Sequence, residues 1–557
     1  MNKIRPTFDD AVQRLNSKNL EGLLEVSSFL SSLEFYRSEK LDIFPMLNFE
    51  KCRLFSNAIV SSKAASYKSA MFNENDLSFV MNAVNAALDD PRLNEIVSNR
   101  PRDEMLYDLR KFFSRMANIQ FRQQELPAIG RILGLLEVIP KKNINLFPEK
   151  YRTIVSQFSQ EDMPRALSTS LRNLVVIYLA IADSYKKVND FTWKEYQSRS
   201  YINNFEIQPH TNRQAKILYG LYASLPKVRG YLYFSLKSLK DKVPLGISET
   251  SFDAFMHIFA RTMSEIRDEG KKSVYQHGVP GWQLSPLEQY PVVAVKSGRQ
   301  GVIGTKFIVP NVRIFLRSFA DVIHYSLQES CGNSYNEVRG LSQEIYLRLL
   351  IANRLPYCII IPEKVYKTRR GEKSGPDLTI VDRKSSRLIV IESKARRVRA
   401  ETRFTLDEKN FDQNLSESLY DPLIRLREKI SYLYKGIPQY HNYQADLNST
   451  KGHNPIYVVI FGESLYMSSN LIRYRAKKEN NHPLRDFEEV HCIMSLDYFD
   501  LAVEIAAAQN ITISQILEEY WIDSGKMELD CNMPESFRNR NLPEGQTFAE
   551  SFITEEG

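Results

Sequence analysis

Apolar residues recur at three-and-four spacing from the N-terminus to about Lys240, the period of helices that bury one face. Asn19 to Val26, Leu106 to Met116 and Leu126 to Val138 carry it most clearly. Asn75-Asp76 ahead of Leu77, and Thr169-Ser170 ahead of Leu171, stand where side-chain oxygens cap free backbone N–H groups. Pro140, Pro148 and Pro164 punctuate the middle. Residues 1–240 are therefore expected to form a large, mainly α-helical region without a repeat of fixed period. Tyr231 to Lys240 reads as the core side of a further amphipathic helix, although its mixture of aromatics and lysines also suits base stacking.

The pattern changes after residue 240. Pro291 to Val295 and Gly301 to Pro310 are short β-branched runs bounded by Gly and Pro, and Asn311 to Leu327 returns to helical spacing. Residues 241–330 are expected as a mixed connector subdomain. Residues 331–510 then alternate: helix Asn336–Asn353, strand Tyr357–Pro362, a hairpin, helix Asp407–Tyr434, strand Pro455–Phe461, strand Val490–Leu496 and helix Tyr498–Gln509. Such alternation predicts an α/β unit whose mixed sheet is flanked by helices.

The hairpin, Gly375 to Lys394, holds the candidate chemistry. Two apolar runs flank the polar break Arg383-Lys384-Ser385-Ser386. With the turn centred between Lys384 and Ser385, Asp382 faces Arg387, Ile380 faces Ile389, Leu378 faces Ile391 and Asp377 faces Glu392. Directly opposed residues have Cβ atoms about 5 Å apart, so two carboxylates meet across the ladder and repel unless a cation joins them. Lys394, two residues past Glu392, projects from the same face. Two acids and a lysine at one end of an apolar hairpin suggest a metal site with a cationic assistant.

Composition narrows the setting. At 557 residues the chain exceeds a single core, and 43% hydrophobic with 25% charged residues is ordinary for a water-soluble fold. The densest apolar run, Leu174 to Ala182, is well short of the roughly 20 residues that span a bilayer. The first ten residues lack a signal-peptide core, so a cytoplasmic protein with no membrane association is expected. Cys52, Cys331, Cys358, Cys492 and Cys531 stand singly, which argues against zinc ribbons and disulfide frameworks. Gly298 to Lys306 lacks the Gly-Lys-Ser/Thr ending of a phosphate-binding loop, so no ATPase is indicated. The net charge of +7 is modest, but Lys367, Arg369, Arg370, Lys373, Arg383, Lys384, Arg387, Arg396, Arg397, Arg399 and Arg403 crowd around the hairpin. A basic patch beside a metal site suits a polyanion. Residues 511–557 form an acidic tail, read either as a cover for that patch or as a disordered solubilising end.

Pro376-Asp377, a strand's length of spacing and Glu392-Ser393-Lys394 resemble the PD-(D/E)XK nuclease superfamily over residues 335–505, within an expected nuclease-like domain of residues 331–510. The resemblance implies a restriction-endonuclease-like core and a Mg²⁺-dependent endonuclease, with Mn²⁺ able to substitute. Asp377, Glu392 and the Ser393 backbone carbonyl would ligate the ion. Lys394 would orient the attacking water or stabilise the phosphoryl charge, and Glu344 on the preceding helix would add a metal ligand. Gln413 on the following helix would complete the catalytic set. Lys373, Arg369, Arg370, Arg396, Arg397 and Arg399 would contact the nucleic acid. DNA is the expected substrate, RNA the alternative, and a restriction or phage-defence role the expected setting, with residues 1–240 recruiting a protein partner or a second copy. A non-catalytic interaction protein built on the same fold is the rival from another class.

Overall fold

A computed structural model describes residues 6–36, 49–66, 68, 70–87, 125–198, 211–240, 246–272, 285–297, 304–368, 371–395, 421–435, 437–462, 490–526, 537 and 547–554. It is a mixed α/β protein in two units, one of residues 1–91 with 163–330, the other of residues 92–162 with 331–557. Both units are discontinuous in sequence. Residues 92–162, expected within the N-terminal helical region, fall in the second unit, and residues 241–330, expected as a connector, fall in the first.

The first unit is helical around a small sheet. Helix Leu20–Phe35 begins where Asn19 accepts from the Gly22 N–H, and helix Leu171–Ser198 where Ser170 accepts from the Asn173 N–H. Asp76 does not cap its helix from outside. It is buried inside helix Glu74–Ala87 and takes Arg14 and Lys18, while Asn73 receives the Asp76 N–H. Strands β1 (Tyr233–Phe234), β2 (Ala260–Thr262), β3 (Val292–Ser297) and β4 (Gly304–Ile308) lie in the order β1-β4-β3-β2. The expected helix over Tyr231 to Lys240 is therefore broken. Tyr233 and Phe234 pair antiparallel with β4, and Phe234 stacks on Phe307 at 5.9 Å. Burial of an aromatic against a sheet outweighs a helix propensity difference of a few tenths of a kcal/mol.

The two helices expected at Asn311–Leu327 and Asn336–Asn353 are both present within Val312–Arg354, parted by a kink at Gly332, whose backbone is non-helical (φ 55°, ψ −123°). The second unit then runs through β5 (Cys358–Pro362), β6 (Val365–Thr368), β7 (Gly371–Ser374), β8 (Leu378–Asp382), β9 (Arg387–Lys394), β10 (Ile456–Phe461) and β11 (His491–Ser495). Five of them form a mixed sheet ordered β11-β10-β9-β8-β5, with β9, β10 and β11 parallel and β8 antiparallel to both neighbours. The β8–β9 register is the expected one, from Asp382 opposite Arg387 to Leu378 opposite Ile391.

Parity decides what each face meets. Val381, Leu388, Val390, Tyr457, Val459 and Phe461 pack against Leu423, Leu426, Ile430 and Leu433 of helix Asp421–Leu433. All five residues of β8 are buried, because both faces of a central strand are covered. The acidic tail is not a free end: helices Ile513–Lys526 and Phe548–Thr554 lie in it, with Ile513, Ile516, Leu517 and Phe552 buried. No single helix among the described residues is long and apolar enough to cross a membrane.

Candidate functional site

The hairpin places its acids by strand alternation. Glu392 shares the face of Leu388 and Val390, so it points to the side covered by helix Asp421–Leu433. Asp377 lies one residue before β8, where its Oδ2 accepts the Ser393 N–H at 2.7 Å and closes the ladder. Gly375, two residues earlier, lets the chain pass the Tyr440 hydroxyl, which a Cβ would meet at 2.1 Å. Its N–H donates to the Lys364 carbonyl at 2.9 Å. These contacts fix the approach of Asp377 to Glu392.

Glu392 is 4% exposed and clamped at both oxygens. Lys394 Nζ lies 2.7 Å from Oε1, and Lys429 Nζ, from the covering helix, lies 3.0 Å from Oε2. Burial pushes the Glu392 carboxyl up, but the two ammonium groups outweigh it and hold it below the ordinary range. For Asp377, burial and then the facing Glu392 charge push the carboxyl up to about 6, against Lys394, the Ser393 N–H and Lys429. The facing acids are thus driven apart in titration, as two carboxylates that share a site must be.

Glu344 extends the acidic group. It sits on the long helix before β5, and burial followed by the charge of Asp377 pushes it up to about 8, with Arg348 opposing and Glu363 and Glu392 adding. Its ion pair with Arg348, one turn on, is loose at 3.7 Å. Gln343 beside it is fully buried, and its Nε2 donates to Ser393 Oγ at 2.9 Å, which ties the long helix to the opposite face of β9. The end of β10 comes close as well: the Gly462 N–H donates to the Lys394 carbonyl, and a Cβ on Gly462 would lie 2.9 Å from Arg339 and 3.2 Å from Gln343.

Asp377, Glu392, Lys394 and Glu344 are therefore gathered at one end of the sheet. Gln413, Arg369, Arg370, Arg396, Arg397 and Arg399 lie outside the described residues. Lys373 is on β7, 5.7 Å from the Tyr432 ring. The basic residues of the turn do not join the site. Arg387 lies five residues from Glu392, about 17 Å at about 3.3 Å per residue. Arg387 pairs with Glu518 of the tail at 2.6 Å and Arg383 with Asp446 at 2.9 Å, while Lys384 bonds Asn510 and lies over Tyr357. The residue that sequence reasoning missed is Lys429. Its signal was present, because it falls three residues after Leu426 and four before Leu433, on the core side of the helix, where a lysine needs an acidic partner.

The donor set fits a small, hard cation in part. Asp377 and Glu392 supply adjacent oxygen ligands, the chemistry Mg²⁺ prefers, and Mg²⁺ commonly rests on one or two carboxylates and keeps its remaining waters. Among the described residues no group of three or more His, Cys, Asp or Glu side chains is placed to hold a metal ion, so Glu344 stands behind the pair rather than completing a cage. No family model, no curated protein and no solved structure matches this chain.

Proposed function

We propose that this chain is a metal-dependent nuclease that hydrolyses phosphodiester bonds of DNA, with a PD-(D/E)XK-like site at Asp377, Glu392 and Lys394. The observation that carries this reading is a buried carboxylate, Glu392, beside the partly buried Asp377 and an ammonium, with a third carboxyl pushed up to about 8. Acids crowded together against their own repulsion form the kind of group that a cation stabilises.

In this reading Asp377 and Glu392 hold the ion. A bound Mg²⁺ supplies a Lewis acid for the phosphate oxygens and lowers the pKa of water in its shell. Lys394, fixed by its strand, presents an ammonium to the charge that develops on the phosphoryl oxygens. Glu344, close enough for the Asp377 charge to raise its carboxyl, would bind a second ion or hold a metal-bound water. DNA rather than RNA, and a restriction or phage-defence setting, follow from the resemblance alone.

The test is digestion of supercoiled, linear duplex and single-stranded DNA, and of RNA, by the full chain with Mg²⁺ or Mn²⁺. Asp377→Asn, Glu392→Gln and Lys394→Met should each lower cleavage at least about a hundredfold. Undiminished cutting by Asp377→Asn overturns the assignment. The two lysines that close both oxygens of Glu392 favour one other reading, a non-catalytic interaction protein on the same scaffold. It predicts no Asp377-dependent metal binding and no cleavage of any polymer.

A further inference from the structure

Lys429 has no place in the scheme above, yet it pairs with Glu392 at 3.0 Å, against 2.7 Å for the lysine that has. The geometry points to a resident counter-cation: Lys429 holds Glu392 while the site is free of metal and gives way when a divalent cation binds. This rests on the reading of Asp377 and Glu392 as metal ligands and adds a competitor to it.

Three observations carry it. First, each ammonium takes its own oxygen of one carboxylate, Lys394 on Oε1 and Lys429 on Oε2, so an ion that ligates Glu392 must share or displace a lysine. Second, the two lysines differ in tether. Lys394 belongs to β9 itself, two residues from Glu392, with its carbonyl bonded to the Gly462 N–H. Lys429 reaches across from helix Asp421–Leu433 on a four-carbon stem, and it can swing away without disturbing the sheet. Third, Lys429 is 16% exposed, so a displaced ammonium has a route to water, or to a substrate phosphate at the site mouth.

Charge fixes the sign. A divalent cation at Oε2 with Lys429 still in place would bring like charges within a few ångströms in a partly buried setting, which opposes binding. Removing the Lys429 charge lifts that competition, so the site should bind metal more tightly, not less. A lysine that merely supports the fold predicts the reverse, because its loss would loosen Glu392 and weaken binding.

The experiment is calorimetric titration of the full chain with Mn²⁺, without nucleic acid, for the wild type, Lys429→Met, Lys429→Arg and Asp377→Asn. Lys429→Met, which keeps the stem and removes the charge, is expected to bind about tenfold more tightly, and Lys429→Arg close to the wild type. Should Lys429→Met fail to fold, Lys429→Gln carries the same expectation. Unchanged or weaker binding by the neutral variants, with wild-type binding still lost in Asp377→Asn, overturns the counter-cation and leaves the nuclease reading standing. Absence of Asp377-dependent binding in the wild type overturns both.

Discussion

Single side chains at this site are set by burial and by each other's charge, and each can be tested alone. Glu344 ionises near 4.5 when free and near 8 in the folded chain, because burial and Asp377 oppose its charge. The folded state therefore holds a proton that the unfolded state has lost over that interval. The stability this provides is complete below about 4.5 and drains away as pH rises through about 8. Thermal unfolding in chelator should show stability falling across that window by on the order of a few kcal/mol, and Glu344→Gln, which cannot ionise, should flatten the slope. An unchanged slope in Glu344→Gln would place its carboxyl outside the acidic group. Gly375 offers a steric counterpart. Gly375→Ala puts a Cβ 2.1 Å from the buried Tyr440 hydroxyl and should cost about 1–3 kcal/mol. Adding Tyr440→Phe removes the obstructing atom and should restore part of that loss, a coupling that a double-mutant cycle measures directly.

At the level of elements, the β8–β9 hairpin was legible because every level of its sequence agreed. Its β-branched runs alternate, its turn is polar, and Asp382 is the residue a turn wants. Asp382 accepts from the Lys384 N–H at 3.1 Å and more distantly from the Ser385 N–H, then from the Ser514 N–H and hydroxyl at 3.3 and 2.8 Å. One buried carboxylate thus closes the turn and caps helix Ile513–Lys526. Asp382→Ala leaves these donors facing no partner and should cost about 2–4 kcal/mol, read as a lower denaturation midpoint at unchanged slope. The β6–β7 hairpin was not legible, because five of the seven residues from Lys367 to Lys373 are charged and only Val365, Tyr366 and Thr368 speak for a strand. The tail helix was overlooked for a similar reason. Ile513, Ile516, Leu517 and Tyr520 stand at helical spacing and are buried, but the acids between them dominate the composition. The resemblance points to a polar residue near the start of the helix that follows the hairpin, whereas the lysine that pairs with Glu392 lies on the core-facing stripe of helix Asp421–Leu433. Parity on the strand and spacing on the helix together would have joined them. The two-unit division was out of reach altogether, since contacts between distant segments leave no periodic trace in the chain.

The discontinuity of the second unit has a consequence for the molecule as a whole. Residues 331–557 hold the sheet and the candidate site, yet part of their packing comes from residues 92–162. Arg131 of helix Glu125–Leu133 pairs with Asp497 and, at 2.7 Å, with Asp500. Asp500 also accepts the Tyr346 hydroxyl at 2.9 Å, and burial pushes its carboxyl up to about 6 even with Arg131 opposing. Without Arg131 that buried charge has no cation to answer it, a loss of about 3–5 kcal/mol for a broken buried pair. The same helix and the π-helical turn Gly134–Val138 that continues it seat helix Phe548–Thr554. Gly130 and Gly134 leave room for it, for a Cβ on Gly130 would lie 2.0 Å from the Ala549 carbonyl and one on Gly134 2.7 Å from the Phe552 ring. Phe552 is 3% exposed, and losing the burial of such a ring costs about 3–5 kcal/mol more. These two losses alone rival the whole stability of an ordinary domain, about 5–15 kcal/mol. A fragment of residues 331–557 is therefore expected to lack a cooperative thermal transition and to expose apolar surface to a fluorescent dye, whereas the full chain melts cooperatively. Joining residues 92–162 to the fragment should restore the transition. A fragment that melts sharply by itself would show that the middle segment is dispensable, and that the Arg131 and Gly130 contacts contribute little to the unit carrying the site.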